Sequence, residues 1–321
     1  MISFRYHAFT VVAIFLAVAL GIAIGNTGLS RSVVVRGLER QTEELQQQLD
    51  ETRATLSDAR ATVERLEQAT DVLPTLVDGD LAGHRVVLVT HAGVDGATLS
   101  QVSRALDAAG AELAAAFAVT VRMAATEQED RDLLADLFGM VATDDPAPLV
   151  ERATAVIADR LTEGPQRRGA QPEADDIAQP EEDDILDGLL RAAFLSLPDG
   201  SPSLSEGDLE DLGGNGELLV VVAGGEEEPL PSADGFLVPL VRELVAQGAP
   251  VAAAESAGTT YPFVATLRAD EAVDGRIVTV DDADLSIGGA ALVLGLERLI
   301  AIGQGGDYGF KGSDVTPLPP P

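Results

Sequence analysis

The sequence predicts an α/β head joined to a coiled coil and an N-terminal transmembrane helix. Three observations support this architecture: an apolar run over residues 8–25, a heptad pattern over residues 35–70, and alternating strand-like and helix-like segments from residue 85 onwards. Alternation of this kind is typical of a doubly wound, mostly parallel sheet covered by helices. We therefore divide the chain into a membrane anchor (1–30), a coiled coil (31–73), the first half of the head (74–162), an acidic disordered insertion (163–184), the second half of the head (185–309) and a disordered proline-rich tail (310–321).

The apolar run is long enough to cross a membrane. No formally charged side chain lies between Arg5 and Arg31, and about 20 apolar residues in a helix span a hydrocarbon core. A cleavable signal peptide is the alternative, because Arg5 forms a short basic region and small residues such as Ala19 follow it. The run is long for a signal peptide, which favours an uncleaved anchor. Basic residues lie on both sides of the span, so the positive-inside rule leaves the side of the head open.

The segment after the anchor follows a seven-residue hydrophobic repeat. Its apolar positions are spaced as the a and d positions of a coiled coil. Thr42 and Thr52 interrupt this seam, and the flanking glutamines carry no charge that would fix a partner. A homo-oligomer, a coil with another protein, and a lone helix packed on the head therefore stay open. The predicted interface residues are Val35, Leu38, Leu45, Leu49, Leu56, Val63 and Leu66.

Composition excludes several classes of function. The chain has 53 acidic and 21 basic residues and a formal net charge of −32, so it repels nucleic acid and no such partner is expected. The same acidity can serve solubility in a salty medium. The absence of cysteine excludes disulfides and thiolate chemistry. Three histidines and three methionines offer few soft ligands, and we predict no cofactor.

The head is expected to form from two halves, each of which alternates strands with helices. Strands are indicated by short β-branched apolar runs and helices by apolar spacing of three and four residues. The predicted strands are 85–91, 113–121, 218–223, 251–254 and 277–280. The predicted helices are 97–109, 127–138, 148–161, 185–197, 236–246 and 285–300.

Two patterns that could indicate an enzyme do not match their motifs. Gly224 and Gly225 follow a strand, but three glutamates come next and would repel a phosphate. Residues 254–258 resemble the nucleophile turn around Ser256 in α/β-hydrolases, yet the first glycine is missing and every histidine precedes the serine. The sequence therefore predicts a protein that is not an enzyme, with no catalytic residues.

A compact carboxylate cluster, Asp281, Asp282 and Asp284, lies between a predicted strand and a predicted helix. Aspartates at a helix start accept backbone N–H bonds and complement the helix dipole, which explains the cluster without a ligand. A site for a hard divalent cation is the alternative. No metal ligand is assigned on this basis.

Several segments together resemble one known family. They are the opening MISFRYH with its apolar run, residues 20–25 (LGIAIG), 109–111 (AGA), 279–282 (TVDD) and 305–309 (GGDYG). In this order they resemble the mycobacterial copper transport protein (MctB) family of actinobacteria, which includes SteB-like cell-separation proteins. The resemblance covers most of the chain outside the acidic insertion and the tail. The family-like positions are Asp281, Asp282, Gly305, Tyr308 and Gly309.

The resemblance implies two functions. One is copper transport by a channel of the outer membrane that limits copper accumulation. The other is cell separation, in which SteB-like proteins act with a membrane partner of the SteA type and a peptidoglycan hydrolase. The family also implies that the C-terminal domain is extracytoplasmic.

Of these two functions, the residues favour the second. A single span does not enclose an aqueous path unless many copies assemble, and soft ligands for copper are scarce. We therefore expect a single-pass, non-enzymatic scaffold or regulator of cell separation in the cell membrane. Its coiled coil would bind a SteA-like partner or another copy of the chain. Copper transport by a pore-forming protein of the outer envelope is the alternative, and copper would be a ligand only in that case.

Overall fold

The computed structural model describes residues 4–26, 46, 53, 77–165, 184–199, 201, 204–225, 227–312 and 315–320. The chain divides into two compact units, Met1–Leu66 and Glu67–Pro321. The predicted coiled coil lies outside the described residues apart from Gln46 and Arg53, and so do all seven predicted interface residues. Residues 166–183 of the predicted acidic insertion also lie outside them.

The described part of the first unit is mainly a long apolar helix, α1 (Phe4–Asn26). Its 23 residues extend about 35 Å, which is enough to span a hydrocarbon core. The window His7–Ile24 has the length and composition of a membrane span, and its apolar side chains are exposed. A signal sequence near an N-terminus has the same character. The helix therefore agrees with the predicted anchor and with the signal-peptide alternative.

The second unit is built on one seven-stranded sheet in the order β3-β2-β1-β4-β5-β6-β7. Every neighbouring pair is parallel except β2 and β3. The chain winds outwards from β1 in one direction and from β4 in the other, so the topology reverses between these two strands. This confirms the predicted α/β class with a mostly parallel sheet. The strands are β1 (Arg85–His91), β2 (Glu112–Val119), β3 (Leu195–Ser196), β4 (Leu218–Ala223), β5 (Val251–Glu255), β6 (Val278–Val280) and β7 (Gly306–Tyr308).

Helices cover both faces of the sheet. On one face α2 and α9 pack on alternate residues of the central strands, such as Val86 and Leu88. On the other face α3, α4, α5, α7 and α8 pack on the intervening residues, such as Val87 and Val89. Burial on both faces explains why the central strands are continuous apolar runs. The helices are α2 (Gly96–Ala108), α3 (Gln128–Phe138), α4 (Ala147–Glu163), α5 (Ile185–Arg191), α6 (Glu206–Glu210), α7 (Val238–Ala246), α8 (Phe263–Arg268) and α9 (Ser286–Ile302), with a 3₁₀ turn at Val121–Ala124 and a π turn at Ala233–Leu237.

The predicted helix over residues 185–197 is too long. Helix α5 ends at Arg191, and Ala193 adopts a left-handed backbone conformation with φ 59°. The chain then turns into β3, where Leu195 and Ser196 pair antiparallel with β2. The apolar residues Phe194 and Leu195 are buried at this sheet edge. Two paired residues are too few to give a strand pattern in the sequence.

The two ends of the predicted acidic insertion, residues 163–165 and 184, are among the described residues, and Asp184 has a defined contact. Arg160 of α4 is buried and forms an ion pair with Asp184, whose side chain also accepts a hydrogen bond of 2.9 Å from the backbone N–H of Leu186. The same guanidinium donates to the carbonyl oxygens of Leu209 and Leu212. Arg160 therefore joins the end of α4, the start of α5, α6 and the chain directly after α6.

The prediction that the proline-rich tail does not pack is wrong for its described part. Thr316 forms a bridge with Tyr308 at the edge strand β7, and Leu318 packs on the face covered by α9. Edge strands expose unpaired backbone groups that favour pairing with another segment. The tail supplies such a segment despite its prolines.

Gly288, in the first turn of α9, allows the start of this helix to lie close to the backbone of Asp282. A Cβ atom at Gly288 would lie 2.1 Å from the carbonyl oxygen of Asp282, whereas one at Gly96, in the first turn of α2, would meet nothing within 4 Å. We expect Gly288→Ala to lower the free energy of unfolding by about 1–3 kcal/mol, because backbone atoms have to move. Gly96→Ala should be neutral or slightly stabilising. Chemical denaturation of the full-length protein in detergent measures both, and equal stabilities would contradict the packing described.

Candidate functional site

Polar residues collect where the parallel strands end. His91 ends β1, Glu255 ends β5 with Ser256 after it, and Asp281 and Asp282 follow β6. These residues are buried although they are polar or charged. In open α/β sheets, ligands bind at this carboxyl edge and most often where the strand order reverses. The carboxyl edge is therefore the candidate site.

A hydrogen-bonded chain of neutral groups lies at the reversal point between β1 and β4. The Nδ1 atom of His91 lies 3.0 Å from the carbonyl oxygen of Ala92, which can only accept, so Nδ1 carries the proton. The Nε2 atom then accepts a hydrogen bond of 2.7 Å from the Tyr261 hydroxyl, and that hydroxyl accepts one of 2.9 Å from the Gly224 N–H. Each of these groups is satisfied by another part of the chain.

Burial keeps the side chains of His91 and Tyr261 uncharged. Desolvation lowers the pKa of His91 below its usual value and raises the pKa of Tyr261 to about 12. At neutral pH both rings are therefore neutral, with both histidine nitrogens engaged. The Gly224 amide, which a phosphate would need, is engaged as well. The reversal point is closed by the chain's own groups.

The serine considered as a nucleophile contacts a hydroxyl. The Ser256 Oγ atom lies 2.9 Å from the Thr259 Oγ1 atom, and the His91 ring is bonded to Tyr261 instead. Glu255, directly before the serine, accepts a hydrogen bond of 2.9 Å from the Val264 N–H at the start of α8. Residues 254–258 thus form a turn after a strand, and no nucleophile and base pair with each other there.

A buried ion pair between Asp281 and Arg268 organises the outer half of the carboxyl edge. The guanidinium NH1 of Arg268 lies 2.6 Å from the Asp281 Oδ2 atom. The Asp281 side chain is 1 % exposed and the Arg268 side chain is 14 % exposed. The carboxylate also accepts the backbone N–H groups of Phe310 and Lys311 at 2.8 and 3.0 Å. The guanidinium donates in addition to the carbonyl oxygens of Tyr308 and Lys311. The pair thereby holds residues 309–312, which we call the strap, over the ends of β5 and β6.

Three of the family-like positions have a steric role in this arrangement. A Cβ atom at Gly309, where φ is +125°, would lie 2.1 Å from the Asp281 Oδ1 atom. A Cβ atom at Gly305 would lie 1.9 Å from the carbonyl oxygen of Ile277. Tyr308 is buried under α9, where it would contact a Cβ at Gly295. The structure brings Asp281 and Gly309 together, and it places Gly305 and Tyr308 in the packing of β7.

Asp282 differs from the other family-like positions because neither oxygen of its buried carboxylate has a hydrogen-bond partner within the described residues. The residue is 1 % exposed. Burial, and then the nearby charges of Asp281 and Asp284, raise the pKa of this carboxyl to about 6. A buried carboxylate without partners carries a large desolvation cost when ionised. Asp282 is therefore a proton-accepting group close to neutral pH.

The helix-start explanation of the aspartate cluster is wrong. Helix α9 begins at Ser286 with Leu285 as its N-cap, and no side chain caps it. Asp281 is instead engaged with Arg268, and Asp284 accepts a hydrogen bond of 2.6 Å from the Ala257 N–H. The cluster thus links the ends of β5, β6 and β7. The cation alternative gains no ligand set, since no group of three His, Asp or Glu side chains suited to a metal occurs in the described parts of the chain.

Sequence reasoning missed the basic members of this site. Arg268 lies 13 residues before its partner Asp281, and Lys311 lies 56 residues after its partner Glu255. Such distances give no local pattern. One signal was available: Lys311 is the only lysine among the 321 residues.

The fold and the site define an α/β protein with an N-terminal apolar helix of membrane-spanning length and a carboxyl edge that is filled by the protein's own residues. A family model described as "Copper transport outer membrane protein, MctB" matches residues 1–319, and the chain belongs to this family. It is 25% identical over 322 residues to a protein named copper transporter MctB of Mycobacterium tuberculosis (strain ATCC 25618 / H37Rv), with 96% of each chain covered. It is 26% identical over 321 residues to the protein of the same name of Mycobacterium leprae, again with 96% of each covered. The family resemblance seen in the sequence is thereby confirmed.

The raised pKa of Asp282 predicts a dependence of stability on pH. The folded protein binds this proton more tightly than the unfolded chain, so the contribution of Asp282 to stability is complete below about pH 4 and is lost as the pH rises through 6. We expect Asp282→Asn to raise the free energy of unfolding at pH 8 by on the order of 1–3 kcal/mol. The gain should shrink towards pH 4.

Denaturant titrations of the full-length protein between pH 4 and 8 measure this difference. Asp274→Asn is the matched control, because Asp274 is exposed in the same half of the head. It should not change the shape of the pH profile. A constant difference between wild type and Asp282→Asn at every pH would contradict a titrating Asp282.

Proposed function

We propose that this protein is a non-enzymatic, membrane-anchored protein of the cell envelope that takes part in copper transport. The observation that carries this proposal is the family match over residues 1–319, which includes both α1 and the head. The names of the mycobacterial relatives, copper transporter MctB, support the same function. In this proposal copper is the cargo, and no residue of the chain is assigned as its ligand.

The geometry of the head supports a role other than catalysis. His91, Tyr261 and Ser256 are engaged in hydrogen bonds that do not pair a nucleophile with a base. We propose that the head acts by binding, on the extracytoplasmic side of the membrane, as the family resemblance implies. Helix α1 would fix the head at the membrane surface, where the chain's net charge of −32 would raise the local concentration of cations.

Copper content of cells tests this proposal. A strain lacking the gene should retain more cell-associated copper under copper challenge than the parent strain, and the wild-type gene should reverse the rise. The double variant Phe15→Arg/Val18→Arg should not reverse it, because an arginine at the centre of a span opposes insertion by about 2.5–3.5 kcal/mol.

The matched control is Phe15→Leu/Val18→Leu, which keeps the span apolar and should restore normal copper. Elemental analysis of washed cells gives the copper content, and membrane fractionation shows where each variant resides. Copper that is unchanged in the deletion strain would overturn the transport proposal.

A second candidate function is a scaffold for cell separation. It is favoured by the heptad seam of residues 35–70 in the sequence and by the resemblance to SteB-like proteins. In this proposal a SteA-like membrane protein or a second copy of the chain binds the seam, and a peptidoglycan hydrolase is a further partner. An α-helix over these residues would be about 50 Å long.

Substitution of the seam distinguishes the two functions. We expect Leu45→Asp/Leu49→Asp/Leu56→Asp to abolish self-association or partner capture and to cause chained, unseparated cells, because charges at a and d positions oppose coiled-coil packing. The control is Gln47→Asp/Ala54→Asp/Ala61→Asp, which adds the same charge away from the seam. Microscopy and crosslinking measure the two effects, and normal separation in the seam variant would contradict the scaffold.

A further inference from the structure

The only lysine of the chain is part of the candidate site. Lys311 lies in the strap, and its ammonium group reaches the carboxyl end of β5. The other 20 basic residues are arginines. An ammonium is a compact charge with three N–H donors, unlike the planar guanidinium. The oxygen atoms around Lys311 are therefore arranged for a compact ammonium group rather than for a planar guanidinium.

Three oxygen atoms surround the ammonium and form what we call the cage. The Lys311 Nζ atom lies 2.9 Å from the Glu255 Oε1 atom, 3.1 Å from the Ser256 carbonyl oxygen and 3.5 Å from the Thr259 carbonyl oxygen. The Glu255 side chain is 5 % exposed, and its other oxygen accepts the Val264 N–H. One carboxylate and two carbonyl oxygens match the three donors of a primary ammonium.

The strap that carries this lysine is held by polar contacts. The Asp281 carboxylate accepts the N–H groups of Phe310 and Lys311, and Arg268 donates to the Lys311 carbonyl oxygen. The Phe310 side chain is 60 % exposed, so apolar burial does not hold the centre of the strap. The Lys311 side chain is itself 39 % exposed. Water can therefore compete for the contact that the Lys311 ammonium makes, whereas the Asp281 carboxylate is buried.

The surroundings of the cage favour a cation even when the lysine is withdrawn. Four carboxylates, those of Glu255, Asp281, Asp282 and Asp284, lie about the ends of β5 and β6, and Arg268 compensates one of them. Asp282 is buried without a hydrogen-bond partner in the described residues. Loss of the Lys311 ammonium would leave Glu255 buried and uncompensated, which is costly. An external cation of similar shape can remove that cost.

We propose that the cage is a binding site for a primary ammonium group, which Lys311 occupies in the closed form and an external ammonium occupies when the strap lifts. The ligand is either a small alkylamine or the side chain of a lysine in a partner protein, and both present the same group. Binding of either one displaces the strap. In the closed form, Lys311 therefore blocks the ligand site of its own chain.

Chemical rescue tests the cage. Lys311→Met in the full-length protein should lower the Tm by several degrees, and n-butylammonium should restore it in a saturable manner. Tetramethylammonium has the same charge but no N–H donor and should not restore the Tm at equal ionic strength. Arg104→Met removes an exposed positive charge from α2 and should show neither effect. A Lys311→Met protein that responds equally to both cations would overturn the proposal.

Selective labelling tests displacement of the strap in the wild-type protein and does not depend on the folding of any variant. Labelling with ¹⁵N-lysine gives a single backbone amide signal, that of Lys311, because the chain has no other lysine. We expect n-butylammonium, or a peptide with one lysine, to shift this signal to saturation, while tetramethylammonium and the same peptide with its lysine acetylated leave it in place. A response to the peptide at lower concentration identifies a protein partner, and a stronger response to the amine identifies a small ligand. A signal that neither ligand moves would overturn strap displacement.

Discussion

The buried ion pair of Asp281 and Arg268 is the interaction on which the carboxyl edge depends. Burying two opposite charges is favourable only when the remaining donors and acceptors are also satisfied. Here the carboxylate takes two backbone N–H groups of the strap, and the guanidinium takes the carbonyl oxygens of Tyr308 and Lys311. The requirement to satisfy this pair thus determines where the C-terminal segment lies.

The same requirement explains the glycine at position 309. The strap approaches the carboxylate so closely that a Cβ atom would overlap with it, and the backbone has a positive φ that a side chain disfavours. Once Gly309 allows this approach, Lys311 comes within reach of Glu255. A single buried pair therefore couples a glycine, a strap and the only lysine of the chain.

The apolar pattern predicted most of the sheet, and it failed where strands are short or contacts are long-range. Strands β1 and β4 are buried on both faces, so their residues form uninterrupted apolar runs that are visible in the sequence. Strand β3 has two residues and β7 contains a glycine and an aspartate, so neither has a strand pattern. The residues of the candidate site likewise divide into those that the sequence indicates and those that only the fold brings together. Asp281 and Gly309 are recognisable from a family-like segment, whereas Arg268 and Lys311 become part of the site only through folding.

The carboxyl edge of this head is closed by the chain's own residues. Catalytic α/β proteins keep the crevice at the ends of their strands available to a ligand. Here Tyr261 bridges His91 and Gly224 at the reversal point, and the strap covers the ends of β5 and β6. A ligand that binds under the strap has to displace part of the chain, and its affinity is reduced by the free energy of that displacement. Under the proposed binding role, occupancy of the site is then coupled to the position of the C-terminal segment.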